Sequence, residues 1–253
     1  MVRLRYHVMS ERETLSGLSP WPKAFVVPKF TYDAEFELNI KNTEFEGNGT
    51  YFNPGPKLKG IILNGLAQEM VNAEFMRITT KPLQSMFLSQ LDHFSDKLMQ
   101  IFKSKGGAKG QKIKNALAIT DSCDNTNINI KRECILKGLM IYLTEDPDSF
   151  FKEYVATEDA ENEIPNTVMG IYKIRRGDCT EDIGVVIEGV KVLSNLDCVI
   201  LAFIMLFGLI YALDLSFPDN LKYTFEFIQK ILMNLEGHRL NAKIQQLKIK
   251  LFA

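Results

Sequence analysis

DCVILAFIMLFGLIYALDL, residues 197–215, decides the fold, because it holds sixteen consecutive uncharged residues from Cys198 to Leu213. Such a run is either a membrane span or the central helix of a folded core. A span through hydrocarbon needs about 20 apolar residues, with about 17 as the lower limit, and the flanking Asp197 and Asp214 would be costly near lipid. The run therefore predicts a buried core helix, and a single-pass membrane protein through 198–213 is the alternative.

Two amphipathic helices are predicted after this run, and each carries an apolar stripe that needs a partner. The stripes comprise Leu221, Phe225, Ile228, Leu232 and Leu235 in the first helix, and Leu240, Ile244, Leu247 and Leu251 in the second. Gly237 separates the two helices. Because a helix that is apolar on every side lies at the centre of such a group, the pattern favours one core.

A helical region is also predicted upstream of the run. One apolar stripe recurs every three or four residues over about five or six helical turns. It comprises Leu83, Phe87, Leu91, Phe94, Leu98 and Phe102. Gly106 and Gly107 end that helix, and further helices are predicted around QKIKNALAI and NIKRECILKGLMIYL. EDPDSFFKEYV starts another, with Asp146 as the N-cap and Pro147 at the first helical position.

Changes of composition divide the chain into four regions. Residues 1–59 predict an extended, largely irregular segment, 60–156 a helical region, 157–167 an acidic linker, and 168–253 short strands with C-terminal helices. The linker prediction rests on TEDAENEIP, which is nearly free of apolar residues, and the strands on TVMGIYKIRRG and GVVIEGVKVL. The predicted fold class is mainly α: a helical bundle region, then a small α+β region of a short β-hairpin and three helices.

The sequence carries no motif for catalysis, so we expect no enzyme, no cofactor and no catalytic residue. None of the four cysteines belongs to a C-x-x-C pair, which argues against a zinc site and a disulfide framework. His93 lies near Asp92 and Asp96, but one histidine with two carboxylates is too small a set for a metal site. Motifs for nucleotide binding, hydrolysis and zinc proteolysis are missing.

The net charge and the N-terminal sequence indicate the cellular setting of the protein. The net charge is −1, so no strong overall field attracts nucleic acid or an anionic membrane. The N-terminal MVRLRYHVMSERETLSGLSPWP contains no apolar signal region. We therefore expect a soluble intracellular protein, cytoplasmic or nuclear, that is not associated with a membrane.

Two sets of residues are candidates for contacts. The first is a basic cluster whose spacing does not fit a phosphate-binding loop, and it comprises Lys103, Lys105, Lys109, Lys112 and Lys114. It could contact nucleic acid phosphate or an acidic partner, or it could be a solvated interhelical loop. The second lies in the proline-rich, extended WPKAFVVPKF and comprises the possible packing anchors Trp21, Phe25 and Phe30.

Several long blocks resemble one protein family. WPKAFVVPKFTYDAEFEL, NPGPKLKGIILNGLAQEM, LDHFSDKLMQIF, YLTEDPDSFFKEY and LFGLIYALDLSFPDNLKYTFEFIQKILMNL are similar to the vertebrate, largely fish, sterile alpha motif domain-containing protein three-like family. The resemblance covers most of residues 21–253. It implies an intracellular protein with a soluble setting for the apolar run, and it brings no enzymatic activity or catalytic residue.

The chain departs from that family in two places. Members carry an N-terminal assembly module and a middle block rich in tryptophan, tyrosine and basic residues. Here Met70-Val71 runs almost directly into NAEFMRIT, and Trp21 is the one tryptophan. The resemblance therefore identifies a shortened member, and contacts made by the two missing pieces do not carry over.

We therefore expect a non-enzymatic intracellular protein that acts through protein–protein contacts, with an unknown partner that could be a second copy of the chain. One alternative is a nucleic-acid-binding remnant of a mobile-element-derived protein, based on the lysines between 103 and 114. The other is the single-pass membrane protein.

Overall fold

Helices make up most of the structure, and a small sheet separates the first five helices from the last three along the chain. The computed structural model describes residues 27–121, 127–155, 157–177, 179–235 and 239–253. The helices are α1 (Tyr32–Asn48), α2 (Pro56–Thr79), α3 (Leu83–Lys103), α4 (Gly107–Asp121), α5 (Ile128–Tyr142), α6 (Thr157–Glu163), α7 (Val199–Ala212), α8 (Lys222–Phe227) and α9 (Ala242–Phe252). The predicted fold class, mainly α with a small α+β region, is confirmed.

The sheet has four strands in the described part of the chain. Its order is β1 (Phe151–Tyr154), β2 (Met169–Arg176), β3 (Cys179–Ile187) and β4 (Val190–Leu193), with β1 parallel to β2 and the other pairs antiparallel. Because successive side chains point to opposite faces, Ile171 joins the main core while Tyr172 and Ile174 belong to a second cluster. Ala160 of α6 completes that second cluster, so helices cover both faces of the sheet.

Helix α7 forms the centre of the main core, as the run at 197–215 predicts. Ten of its 14 residues are buried, and it packs against α2, α3, α5 and strands β2 and β3. Gly208 allows close packing, since a Cβ there would lie 2.5 Å from Leu83 Cδ2 and 2.6 Å from Val71 Cγ1. Both predicted C-terminal stripes contribute buried side chains to the same core, for example Phe225 and Leu247.

Helix α7 is shorter than the hydrocarbon layer of a membrane is thick. At 1.5 Å per residue its 14 residues extend over about 21 Å, whereas the hydrocarbon layer is about 30 Å thick. Within the described ranges, no helix combines the length and the apolar character needed to cross a membrane.

Two predicted local assignments, at residues 1–59 and after α5, differ from the structure. Helix α1 and the start of α2 lie within 1–59, which the sequence predicts to be irregular, because the turn residues mark only the connection between the helices. Asp146 does cap a turn, accepting from the Asp148 N–H, but Pro147–Ser149 is one 3-10 turn and the chain then enters β1. Pairing of Phe151 with Ile171 overrides the local helical tendency.

The predicted acidic linker at 157–167 is also structured. It contains α6 and a 3-10 helix, Ile164–Asn166. Ala160 and Ile164 are buried, so two apolar side chains suffice to hold this acidic segment on the sheet. The main core extends across the predicted boundary, from Val71 in α2 to Leu251 in α9.

A carboxylate just after α5 caps the N-terminus of α8. The half-buried Glu145 accepts hydrogen bonds from the Tyr223 N–H at 2.7 Å, the Thr224 N–H at 3.0 Å and the Thr224 hydroxyl at 2.6 Å. Burial raises the pKa of Glu145, whereas the three donors and Lys243 favour the ionised form. This contact fixes the last part of the chain against α5.

We expect Glu145→Ala to lower the free energy of unfolding by about 2–3 kcal/mol, because the buried N–H and hydroxyl of Thr224 lose their acceptor. Glu145→Gln keeps one acceptor oxygen and should cost about 1 kcal/mol. Urea unfolding followed by circular dichroism measures both variants. Equal losses for the two would contradict the capping role.

Candidate interaction surfaces

Helix α1 is an exposed arm that carries apolar side chains. Ala34 is its one buried residue. Tyr32, Phe36 and Ile40 recur every four residues and so lie on one side of the helix, where Phe36 is 56% and Ile40 is 42% exposed. This stripe, Tyr32-Phe36-Ile40, is called the α1 stripe below. An apolar row exposed to water is typical of a surface that another molecule covers.

The chain before α1 fastens the arm to α2. The Phe30 ring lies over Gly65, where an added Cβ would come within 2.9 Å of the ring and 3.3 Å of Pro28 Cγ. The Phe30 N–H donates to Glu35 Oε1 at 3.0 Å, which satisfies one backbone donor at the helix start. Phe30 is thus placed as a half-buried packing residue, and the other two predicted anchors, Trp21 and Phe25, lie outside the described residues.

Helix α2 also carries exposed apolar side chains. Leu63, Leu66 and Met70 are exposed at spacings of three and four residues, whereas Val71 and Phe75 of the same helix enter the core. Phe75 packs against Tyr211 of α7 at 5.1 Å between ring centroids. One side of α2 therefore holds the fold together while the other offers apolar side chains to solvent.

The arm is strongly acidic. It contains five acidic side chains against one lysine, so its net charge is −4. Asp33 and Glu37, both exposed, lie on the same flank of the α1 stripe. The ion pair of the arm in the described structure is internal, between Lys41 Nζ and Glu44 at 2.8 Å.

A second surface is basic and is called the lysine cluster: Lys105, Lys109, Lys243 and Lys250, which surround the C-terminal end of α5. Lys109 Nζ donates to the Tyr142 carbonyl oxygen at 3.3 Å, and Lys243 Nζ to the Leu143 carbonyl oxygen at 3.2 Å. Lys105 Nζ lies 5.0 Å from the centre of the Tyr142 ring. Lys250 Nζ lies 3.5 Å from the Tyr142 hydroxyl. Helix C-termini favour cations, which accounts for the position of the cluster.

The four ammonium groups of the lysine cluster carry more positive charge than the C-terminal end of α5 can neutralise. A helix C-terminus carries roughly half a negative charge, and no carboxylate in the described residues lies within 4.0 Å of these four ammonium groups. Burial lowers the pKa of Lys109, and the nearby charges of Lys105 and Lys243 lower it further. The lysine cluster is therefore suited to an anionic group.

The five lysines predicted from sequence do not form one patch. Lys105 and Lys109 belong to the lysine cluster, whereas Lys103 ends α3. Lys112 and Lys114 are two residues apart on α4, which separates their directions by about 200° around the helix. Lys243 and Lys250 come from a distant part of the sequence, and the one signal for them is that α9 has three lysines and no acidic side chain.

A groove of about 920 Å³ lies between α4, α5 and the β1–β2 edge. Its lining contains two ion pairs: Lys137 contacts Glu133 at 2.6 Å and Arg175 contacts Glu153 at 2.9 Å. Glu145, on the same wall, is bonded to α8. Among the described residues that line the groove, no nucleophile is hydrogen-bonded to a base and no set of donors is directed at one point.

The described ranges contain no candidate metal site, and the Cys134 and Cys198 thiols are not activated. No group of three or more histidine, cysteine, aspartate or glutamate side chains there could hold a metal ion. Burial raises the pKa of the Cys134 and Cys198 thiols, which keeps both protonated. His93 is exposed beside the Phe94 ring, and its neighbour Asp92 accepts a hydrogen bond from Arg132 Nε at 2.8 Å.

Comparisons with protein-family models, with curated proteins and with solved structures found no match for this chain. The resemblance to the sterile alpha motif domain-containing protein three-like family therefore stays a prediction.

Proposed function

We propose that this chain is a non-enzymatic intracellular protein that acts through protein–protein contacts made by α1 and the exposed side of α2. The observation that supports it is the α1 stripe on a helix that has one buried residue. Most of the stability of a helix in a protein comes from tertiary packing, and α1 has little of it. A partner that covers the stripe would bury aromatic area and stabilise the helix at the same time.

The rest of the molecule supports this role by providing a rigid base. The core centred on α7 holds α2 through Val71 and Phe75, and α2 in turn holds the arm through the contact of Gly65 with Phe30. The exposed side chains of α2 therefore lose little conformational freedom on binding, which favours affinity.

Replacing Phe36 and Ile40 together by serine should abolish the capture of partners from native cells without lowering the stability of the chain. Both side chains are exposed, so we expect the free energy of unfolding to change by no more than about 0.5 kcal/mol. The measurement is affinity purification with mass spectrometry, beside a thermal melt. Val190→Ser, at a 61% exposed position on the sheet edge, is the control and should keep the partners. A partner set that both variants retain would refute the proposal.

Nucleic-acid binding is the second candidate, and the lysine cluster is the observation in its favour. If it holds, Lys105→Ala with Lys109→Ala should weaken binding of single-stranded RNA and reduce the salt dependence of the affinity by about one unit of slope per lost contact. Lys114→Ala, on another side of α4, should have little effect. No binding at low salt removes this candidate.

A further inference from the structure

Two surfaces of the chain are complementary in both charge and apolar character. The arm carries a net charge of −4 around the α1 stripe. The lysine cluster is bordered by α9, which carries three lysines, no acidic side chain, and the exposed Ile249 and Phe252. Ile249 and Phe252 are three residues apart and 60% and 64% exposed, so they form a short apolar row on one side of α9.

The two surfaces do not form ion pairs with each other within one chain of the described structure, although the lysines bond the end of α5. The acidic side chains of the arm form an ion pair only with Lys41, and the four ammonium groups of the lysine cluster have no carboxylate within 4.0 Å. Phe252 touches Phe94 with a ring-centroid distance of 5.5 Å and still remains mostly exposed. Each copy therefore presents an anionic apolar helix and a cationic apolar surface to its surroundings.

We propose that the arm of one copy docks on the lysine cluster and the adjoining side of α9 of a second copy. The α1 stripe covers Ile249 and Phe252, and the flanking carboxylates Asp33 and Glu37 meet the lysines. Because each copy carries both surfaces, two copies exchange arms around a two-fold axis and form a closed dimer. This inference rests on the proposed function, since it names the partner of the arm.

Charge complementarity favours the arm of a second copy over nucleic acid as the ligand of the lysine cluster. Every copy carries the acidic arm, so the arm is always present at the concentration of the chain. The whole chain has a net charge of −1, which gives no long-range attraction for a polyanion. The arm also supplies apolar side chains for Ile249 and Phe252, which a phosphate backbone does not.

The test is a charge exchange between two variants that each alter one surface. The arm variant is Asp33→Lys with Glu37→Lys, and both positions are exposed. The cluster variant is Lys105→Glu with Lys250→Glu, which leaves the carbonyl contacts of Lys109 and Lys243 in place. Glu158→Lys with Glu161→Lys, on exposed positions of α6, is the control, and it changes the net charge by the same amount as the arm variant.

Light scattering coupled to size exclusion should give a dimer for the natural chain and for the control at low salt. The dimer should weaken as salt screens the exposed charges. Each variant by itself should dimerise about 100-fold more weakly, because the arm variant brings the net charge of the arm from −4 to zero and the cluster variant brings the charge of the four lysines from +4 to zero. An equimolar mixture of the two variants should restore the dimer mass, since natural surfaces meet at one contact and the introduced lysines meet the introduced glutamates at the other.

Three outcomes would overturn the inference. In the first, the natural chain is a monomer at about 100 μM and low salt, so even a weak dimer with a dissociation constant near that concentration is excluded. The dimer could persist in both variants. The natural chain could be a monomer whose lysine cluster binds a poly(U) probe that the cluster variant does not bind, which would assign the cluster to nucleic acid. If the chain is a monomer and the Phe36 and Ile40 changes still remove a partner, only the identity of the partner is wrong.

Discussion

Phe203→Ala should lower the free energy of unfolding by about 3–5 kcal/mol, the range found for aromatic residues removed from well-packed cores. Phe203 is fully buried in α7. Its ring lies 5.4–6.3 Å, between centroids, from four other rings: Phe87, Phe150, Phe151 and Phe225. These rings come from α3, the segment entering β1, and α8, so the cavity would loosen the contacts among several elements at once.

Chemical denaturation followed by far-ultraviolet circular dichroism measures this loss. Leu213→Ala, at the C-terminal end of the same helix, is the matched control, because Leu213 is 50% exposed and should change the free energy by about 0.5 kcal/mol or less. Similar losses for the two variants would show that α7 is not the centre of the core.

Gly184→Ala should cost about 2–4 kcal/mol, although it adds a single methyl group. A Cβ at position 184 would overlap the Leu193 carbonyl oxygen and would lie 2.5 Å from the Tyr172 hydroxyl. The Tyr172 ring is buried, and its hydroxyl donates to Asp182 at 2.8 Å. Because neither the strand backbone nor this ring can move away, the pairing of β3 with β4 must change.

Gly60→Ala is the matched control for this substitution, and it should have the opposite sign. Gly60 lies in α2 with no atom within 4 Å of an added Cβ. Alanine there should raise the free energy of unfolding by about 0.5–1 kcal/mol through helix propensity. Denaturation of both variants under one condition gives the comparison, and a neutral Gly184→Ala would contradict the described register of β2 and β3.

The sequence predicts the core better than the edges of the fold. Helix α7 and the stripe from Leu83 to Phe102 are long and strongly periodic, so burial dominates their structure and the pattern is easily read. Strand β1 is missed because its stability comes from pairing with β2, a contact that local propensity does not contain. Helix α1 is missed because its apolar stripe consists of only three residues and turn-forming residues follow it.

The candidate surfaces are predicted in part. Sequence reasoning finds Lys105 and Lys109 because they are neighbours along the chain. It misses Lys243 and Lys250, which reach the same end of α5 only through the packing of α9. The α1 stripe is hidden for a different reason: apolar residues on a helix normally predict burial, and their exposure is visible only in three dimensions.

Hydrogen exchange of the peptides covering 32–48 and 199–212, followed by mass spectrometry over a range of chain concentrations, tests the central claim most directly. The claim is that α1 gains its stability from a partner and α7 from its own chain. We predict that α7 is strongly protected at every concentration, and that α1 exchanges rapidly in dilute samples and becomes protected as copies associate. Protection of α1 equal to that of α7 in the most dilute sample would contradict the account.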